Sequence, residues 1–220
     1  MILKYFITFL TIFFSITSIL LANGSASDEV IAKIENKYKN VNDYYATFRQ
    51  EQPVRSLDKV QTNIGEMWIK KPGKIRWNYN IPKNEQIVSD GKYLWYYYVE
   101  EKYAIKRDIK DLGGNTNILS LLSDLNNLKK IYKINISKTT LDDTKYYLIE
   151  LIPQDSEDDT INKQIIAVNM ENLLIERMYI YDAFGNKSTI KFNNIKINKG
   201  IKDSVFEFKV PKDVDIQTAP

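Results

Sequence analysis

The residues that most often do chemistry are few in this chain and widely separated. Histidine and cysteine are both absent, which removes Ser-His and Cys-His nucleophile systems, the commonest zinc ligand and any disulfide. The acids that remain as catalytic candidates, Asp90, Glu176 and Asp182, are isolated in sequence. Asp90 lies in Ser89-Asp90-Gly91 and Asp182 opens Asp182-Ala183-Phe184-Gly185-Asn186. Both are turn contexts in which an aspartate bonds to backbone, a commoner role than acid catalysis. No nucleophile elbow, phosphate loop or metal-ligand spacing is present. The acidic run Gln154 to Thr160 has the composition of a calcium loop without its spacing or glycine, and reads as a solvated turn. No catalytic residues, metal ligands or cofactors are therefore expected.

What the sequence holds in surplus is apolar and aromatic strand surface. Lys74-Ile75-Arg76-Trp77-Asn78-Tyr79 alternates polar and apolar, so Ile75, Trp77 and Tyr79 share one strand face. Trp68, Ile134, Ile136, Met178 and Ile180 also occupy alternate strand positions. In Tyr93-Leu94-Trp95-Tyr96-Tyr97-Tyr98 both faces are apolar or aromatic, as in a strand covered on both sides. Lys71-Pro72-Gly73, Ile81-Pro82 and Asp90-Gly91 punctuate this region, the last as a tight hairpin turn. A filled core between sheet and helices accounts for such a surface one residue at a time. A concave sheet with an incompletely filled interior, open to a hydrophobic ligand, accounts for it as a whole.

The elements that position these faces follow from periodicity. Asp28 to Lys39 is predicted helical, with Val30, Ile31, Ile34 and Tyr38 on one side. Strands are expected at 44–51, 62–70 with Gly65 as a bulge, 74–80, 85–89, 93–99 and 103–107. The pattern then changes: Ile118, Leu121, Leu122 and Leu125 form the stripe of a short helix after Gly113-Gly114, two glycines that read either as a hinge or as an ordinary loop. Strands resume at 130–137, 144–151, 163–169, 173–181, 187–197 and 205–208, and a bulge at Asn193-Asn194 would bring Ile190, Phe192, Ile195 and Ile197 to one side. The fold class is therefore mainly β (α+β), with one large, strongly curved antiparallel sheet and two helices.

Lys4 followed by an apolar run to Leu21 and the small residues Gly24 and Ala26 reads as a secretory signal peptide, 1–26, cut after Ala26, with a retained membrane anchor as the alternative for a run nearly long enough to span a bilayer. Residues 27–220 then form one domain, soluble outside the cytoplasm. The net charge of +3 comes from interspersed acids and bases, so a nucleic-acid partner is excluded.

Two motifs are specific. Trp68-Ile-Lys-Lys-Pro-Gly-Lys-Ile-Arg-Trp77-Asn-Tyr79 and Ile87-Val-Ser-Asp-Gly-Lys-Tyr-Leu-Trp95 resemble the LolA family, periplasmic carriers of outer-membrane lipoproteins. Gly114-Asn115-Thr116, Tyr181 to Asn186 and Phe206 to Asp215 continue the likeness in order through nearly the whole chain after the signal peptide. The resemblance implies a half-open barrel, closed by an N-terminal helix and a short lid helix, whose interior holds acyl chains. It matches Ile75, Trp77, Tyr79 and Ile87 to the cavity wall and Ile118, Leu119 and Leu121 to the lid; Trp68, Trp95, Met178, Ile180 and Leu122 complete the expected acyl-chain lining. Lys71 stands where the family has a lid-contacting Arg, keeping the charge without the planar fork of donors. Asn117 replaces the proline expected at the lid-helix start, and Val210 and Asp213 replace a usual Pro and Gly. The implied partners are acylated lipoproteins as cargo, an inner-membrane ABC lipoprotein-releasing transporter and an outer-membrane lipoprotein receptor, with the carrier itself a monomer in the periplasm and not an enzyme. A periplasmic sensor or regulatory module with the same half-barrel is the alternative; a lipid-modifying hydrolase would need a convergent nucleophile or acid that the sequence lacks.

Overall fold

The computed structural model describes residues 26–54, 58–109, 125, 128–154 and 161–218. The chain opens with helix α1 (26–39). A first meander follows: β1 (Asp43–Val54), β2 (Lys59–Lys70), β3 (Lys74–Ile81), β4 (Glu85–Asp90), β5 (Tyr93–Tyr98) and β6 (Tyr103–Asp108). A one-turn helix α2 (Leu128–Ile131) leads into a second: β7 (Tyr132–Leu141), β8 (Thr144–Pro153), β9 (Ile161–Asn169), β10 (Ile175–Asp182) and β11 (Lys187–Ile197). A 3-10 turn at Asp203–Phe206 precedes β12 (Asp215–Thr218). Among the described residues, all twelve strands form one curved sheet in the order β12-β6-β5-β4-β3-β2-β1-β11-β10-β9-β8-β7. The two meanders are joined where β1 pairs antiparallel with β11, and among these strands only β12 on β6 is parallel.

Local sequence explains the turns. Between β7 and β8 the two loop residues Asp142 and Asp143 both have positive φ (48° and 61°), as a primed hairpin turn requires. Between β4 and β5 the loop is Gly91-Lys92: Gly91 takes φ +94°, while the Asp90 carboxylate accepts the Lys92 and Tyr93 N–H groups, each at 2.8 Å. A Cβ on Gly91 would come within 3.3 Å of the Pro72 carbonyl oxygen, and one on Gly73 within 3.6 Å of the Gly91 Cα. Ser89 Oγ donates to the Gly73 carbonyl (3.2 Å) and accepts from Gly91 N–H (3.1 Å), tying the two turns together. The Pro-Gly and Ser-Asp-Gly motifs are thus two halves of one corner.

Both expected bulges are present. The β2–β3 register shifts at Ile64/Gly65, where a Cβ at position 65 would lie 1.9 Å from the Asn78 carbonyl oxygen and 2.8 Å from the Phe48 ring. The β1–β11 register slips by one residue opposite Asn194, whose φ is 52°, and Ile195 and Ile197 join Ile190 and Phe192 on the core side. Two expectations differ, and one strand, β12, is not foreseen in the sequence. Residues 205–208 are not a strand: Phe206 is buried on the outer surface of the sheet, and the Val205 carbonyl accepts from Arg76 Nη1 (3.0 Å) instead of pairing in a ladder. The polar strand β12 lacks the alternation that would reveal it. The turn of helix at 128–131 stands where a strand was expected to begin.

The core lies on the concave side, under α1. Ile31, Ile34 and Tyr38 of the helix join Phe48, Met67, Trp77, Ile149, Ile166, Met178 and Phe192 of the sheet in one buried cluster. A second apolar layer covers the convex face of β4–β6, where Val88, Tyr97 and Ala104 are buried and Phe208 packs on Trp95 (4.9 Å between ring centres) and Tyr97 (5.4 Å). Strand β5 is covered on its convex face; on the other face Leu94 is buried, while Tyr96 and Tyr98 are only partly so.

Candidate functional site

Strand register decides which side chains meet on the concave face. Met67, Trp77, Ile87, Tyr96 and Ile105 are consecutive cross-strand partners from β2 to β6. One row further along the strands, Phe192, Phe48, Gly65, Tyr79, Glu85 and Tyr98 follow one another. The missing side chain at Gly65 leaves room for the Phe48 ring, which sits 4.6 Å from Trp77 and edge-on to Tyr79 at 5.3 Å between centres.

This face has two parts. Its floor is filled: Phe48, Met67, Trp77, Met178 and Phe192 are each no more than 3% exposed. Toward the far ends of β1–β4 the packing loosens. A cavity of about 380 Å³ opens there, lined by Tyr79, Ile87, Tyr96 and Tyr98 and by the amides of Gln52 and Gln61, with the charged Lys83 and Glu85 also on its wall. Its size falls at the lower end of ligand pockets, which hold about 300–1,000 Å³.

Helix α1 is fastened at both ends. At its start Asp28 pairs with Lys129 of α2 (2.6 Å), and further along Glu35 accepts the Leu128 N–H (3.3 Å). At its end the buried Tyr38 hydroxyl accepts the Ile175 N–H (2.8 Å), and Lys71 Nζ donates to the Tyr38 carbonyl. A cation on the last carbonyls of a helix complements its dipole. Burial pushes the phenols of Tyr38, Tyr44, Tyr79 and Tyr96 upward, so these groups remain neutral at physiological pH.

The structure sorts the predicted site residues. Ile75, Trp77 and Met178 lie in the filled floor. Tyr79, Ile87 and Ile180 are partly buried against the core cluster, Tyr79 and Ile87 at the cavity. Trp68 and Trp95 are not on this face. Trp68 pairs with Arg76 and packs on Tyr45 (5.4 Å), and Trp95 pairs with Val88 under Phe208, both on the convex side. Shared aromatic character grouped them with Trp77, but strand parity separates them. Ile118, Leu119, Leu121 and Leu122 lie outside the described residues; Lys71 bonds to the last turn of α1. The motif arginine, Arg76, holds the convex layer through the Val205 carbonyl and Gln86 Oε1 (2.8 Å).

Sequence reasoning did not count Phe48 and Phe192 among the site residues, although both alternate with other inward positions. It also passed over an amide patch, Gln50, Gln52, Gln61 and Asn63, whose signal is two i, i+2 pairs on adjoining strands. Asp90 and Asp182 bond to turn backbone, and Glu176 accepts from Tyr146 Oη (2.6 Å) and Asn169 Nδ2 (2.9 Å). Among the described residues no group of three or more acids is placed to hold a metal ion, and no helix is long and apolar enough to cross a membrane.

Residues 39–209 match the family described as outer membrane lipoprotein carrier protein LolA. An outer-membrane lipoprotein carrier protein of Methylobacillus flagellatus is 26% identical over 197 residues, covering 90% of this chain and 93% of that one. Its counterpart in Francisella tularensis subsp. tularensis is 28% identical over 214 residues, covering 97% and 96%. In fold alone, the chain is similar to an uncharacterized conserved protein from Thermus thermophilus, with TM-score 0.57 at 10% identity over 88% of this chain and 99% of the other.

Proposed function

Since the chain belongs to the LolA family of outer membrane lipoprotein carrier proteins, we propose that it is a periplasmic chaperone that shields lipoprotein acyl chains on its concave face between the two membranes. Secretion by the signal peptide 1–26 delivers it there as a monomer. It accepts cargo from an inner-membrane ABC transporter, surrenders it to an outer-membrane receptor, and performs no catalysis. The observation that carries this reading is the partition of one apolar face into a packed floor and an open, aromatic-walled cavity.

Energetics favour such a division. Each buried methylene contributes about 0.8 kcal/mol, so a chain of roughly a dozen approaches about 10 kcal/mol when fully buried. Complete burial of several chains would exceed the ceiling for reversible binding, roughly 18–21 kcal/mol. A carrier that must release its load needs partial cover. Partly buried tyrosines supply it, since they offer apolar area with a polar edge.

Incubation of the processed protein with spheroplasts carrying a labelled outer-membrane lipoprotein tests the proposal. Label is expected in a soluble complex with the protein, with release dependent on ATP in the cells. Retention of all label on the membranes, with folded protein and cognate membranes, would refute it.

A further inference from the structure

At the mouth of the cavity the concave face changes chemistry. Gln50 and Gln52 of β1 stand directly opposite Asn63 and Gln61 of β2, and all four continue the inward-facing rows that begin with Phe48 and Met67. The Tyr79 hydroxyl donates to Gln50 Oε1 (3.1 Å), Gln50 Nε2 to Gln52 Oε1 (3.3 Å), and Gln61 Nε2 to Asn63 Oδ1 (2.8 Å). Among the described residues these bonds leave the Gln52 and Asn63 amide N–H groups without a protein acceptor, and both residues border the open cavity. The patch therefore has surplus donors and no formal charge, and Gln52, Gln61 and Asn63 line the cavity together with Tyr79 and Ile87.

Neutral donors beside an apolar trough suit a ligand whose apolar chains end in neutral acceptors. In an acylated cysteine the chains join the peptide through carboxylic ester and amide carbonyls, which accept hydrogen bonds and carry no charge. The geometry points to Gln52, Gln61 and Asn63 as a subsite for the acyl carbonyls of the cargo, holding the lipid-peptide junction at the mouth while the chains lie along Tyr79, Ile87 and Tyr96. This assignment rests on the carrier reading. It also gives that reading a polarity: the peptide leaves the cavity past β1 and β2. Cargo closing over the mouth shuts water from these donors, and a donor then left without its acceptor costs more than an ordinary hydrogen bond contributes, so the patch discriminates against chains lacking the carbonyl.

The test compares two synthetic lipopeptides, one with ester-linked diacylglyceryl chains and one with ether-linked chains of equal length, each titrated against the wild-type protein and Gln52→Leu/Gln61→Leu. The wild type is expected to bind the ester about tenfold more tightly than the ether, from one to two hydrogen bonds. The double variant should lose that preference while still binding the ether, which also reports that it is folded. Equal affinity of the wild type for both lipopeptides, or an unchanged ester preference in the variant, overturns the subsite and leaves the carrier reading standing. Binding of neither lipopeptide by the wild type overturns both.

Discussion

The floor and the mouth of the concave face are built from the same strands and differ in how they are filled. Around Trp77 lie the rings of Phe48, Tyr79 and Phe192, with centres 4.6–6.3 Å from its own. Two residues further along β3, Tyr79 is still in contact with Phe48, yet its hydroxyl already belongs to the amide patch. One strand thus anchors the fold at one position and borders the cavity at the next inward one. Stability resides where packing is complete, and capacity for a ligand where it stops.

Substitutions should separate these roles. The largest losses belong to the floor. Trp77→Ala is expected to cost about 3–5 kcal/mol in urea unfolding, and Gly65→Ala at least as much, because its Cβ would overlap the Asn78 carbonyl. A loss below about 1 kcal/mol in either would break the distinction. Ile87→Glu, at the partly buried mouth, should change stability by no more than about 1–2 kcal/mol while reducing lipoprotein release roughly tenfold, through an unpaired charge facing the chains. Unfolding and release measured on the same sample decide this, and parallel losses in both would count against it. Tyr38→Phe removes the acceptor of the buried Ile175 N–H and should cost about 1–3 kcal/mol; hydrogen exchange at Ile175 reads it directly.

The smallest effect is electrostatic. Asp203 bridges Lys70 (2.6 Å) and Lys74 (2.9 Å) across the Lys71-Pro72-Gly73 turn, and these bonds, Lys70 first, lower its carboxyl from an ordinary 3.8 to about 2. A depressed pKa adds stability that is fully present above the unfolded value and disappears as pH falls through the folded one. The stability gap between wild type and Asp203→Asn should therefore hold at pH 6, narrow below about pH 4 and close as pH falls through about 2. A gap independent of pH would assign its origin to packing.

Much of this arrangement was legible in the sequence because strand parity is a strong signal when one face is buried. Ile75, Trp77 and Tyr79 read correctly as one face, and Gly65 and Asn193-Asn194 read correctly as bulges. Parity failed where both faces of a strand are apolar or aromatic. Nothing within Tyr93 to Tyr98 tells which aromatic faces the helix, and only pairing with β4 shows that Trp95 faces away. The 3-10 turn at Asp203–Phe206 was missed because it is set by Arg76, a partner far off in sequence. The amide patch was passed over because no single glutamine is informative until two strands align it.

Tryptophan placement offers the most direct test that cargo lies on the concave face. Of the three tryptophans, Trp77 is on that face and Trp68 and Trp95 are on the other. Single-tryptophan proteins, made by Trp→Phe changes at the other two positions, would be titrated with a lipopeptide carrying brominated acyl chains, which quench indoles near them. The expected result is saturable quenching of Trp77 emission with Trp68 and Trp95 unaffected. Quenching of Trp95 with Trp77 spared would place the chains on the convex face and contradict the account.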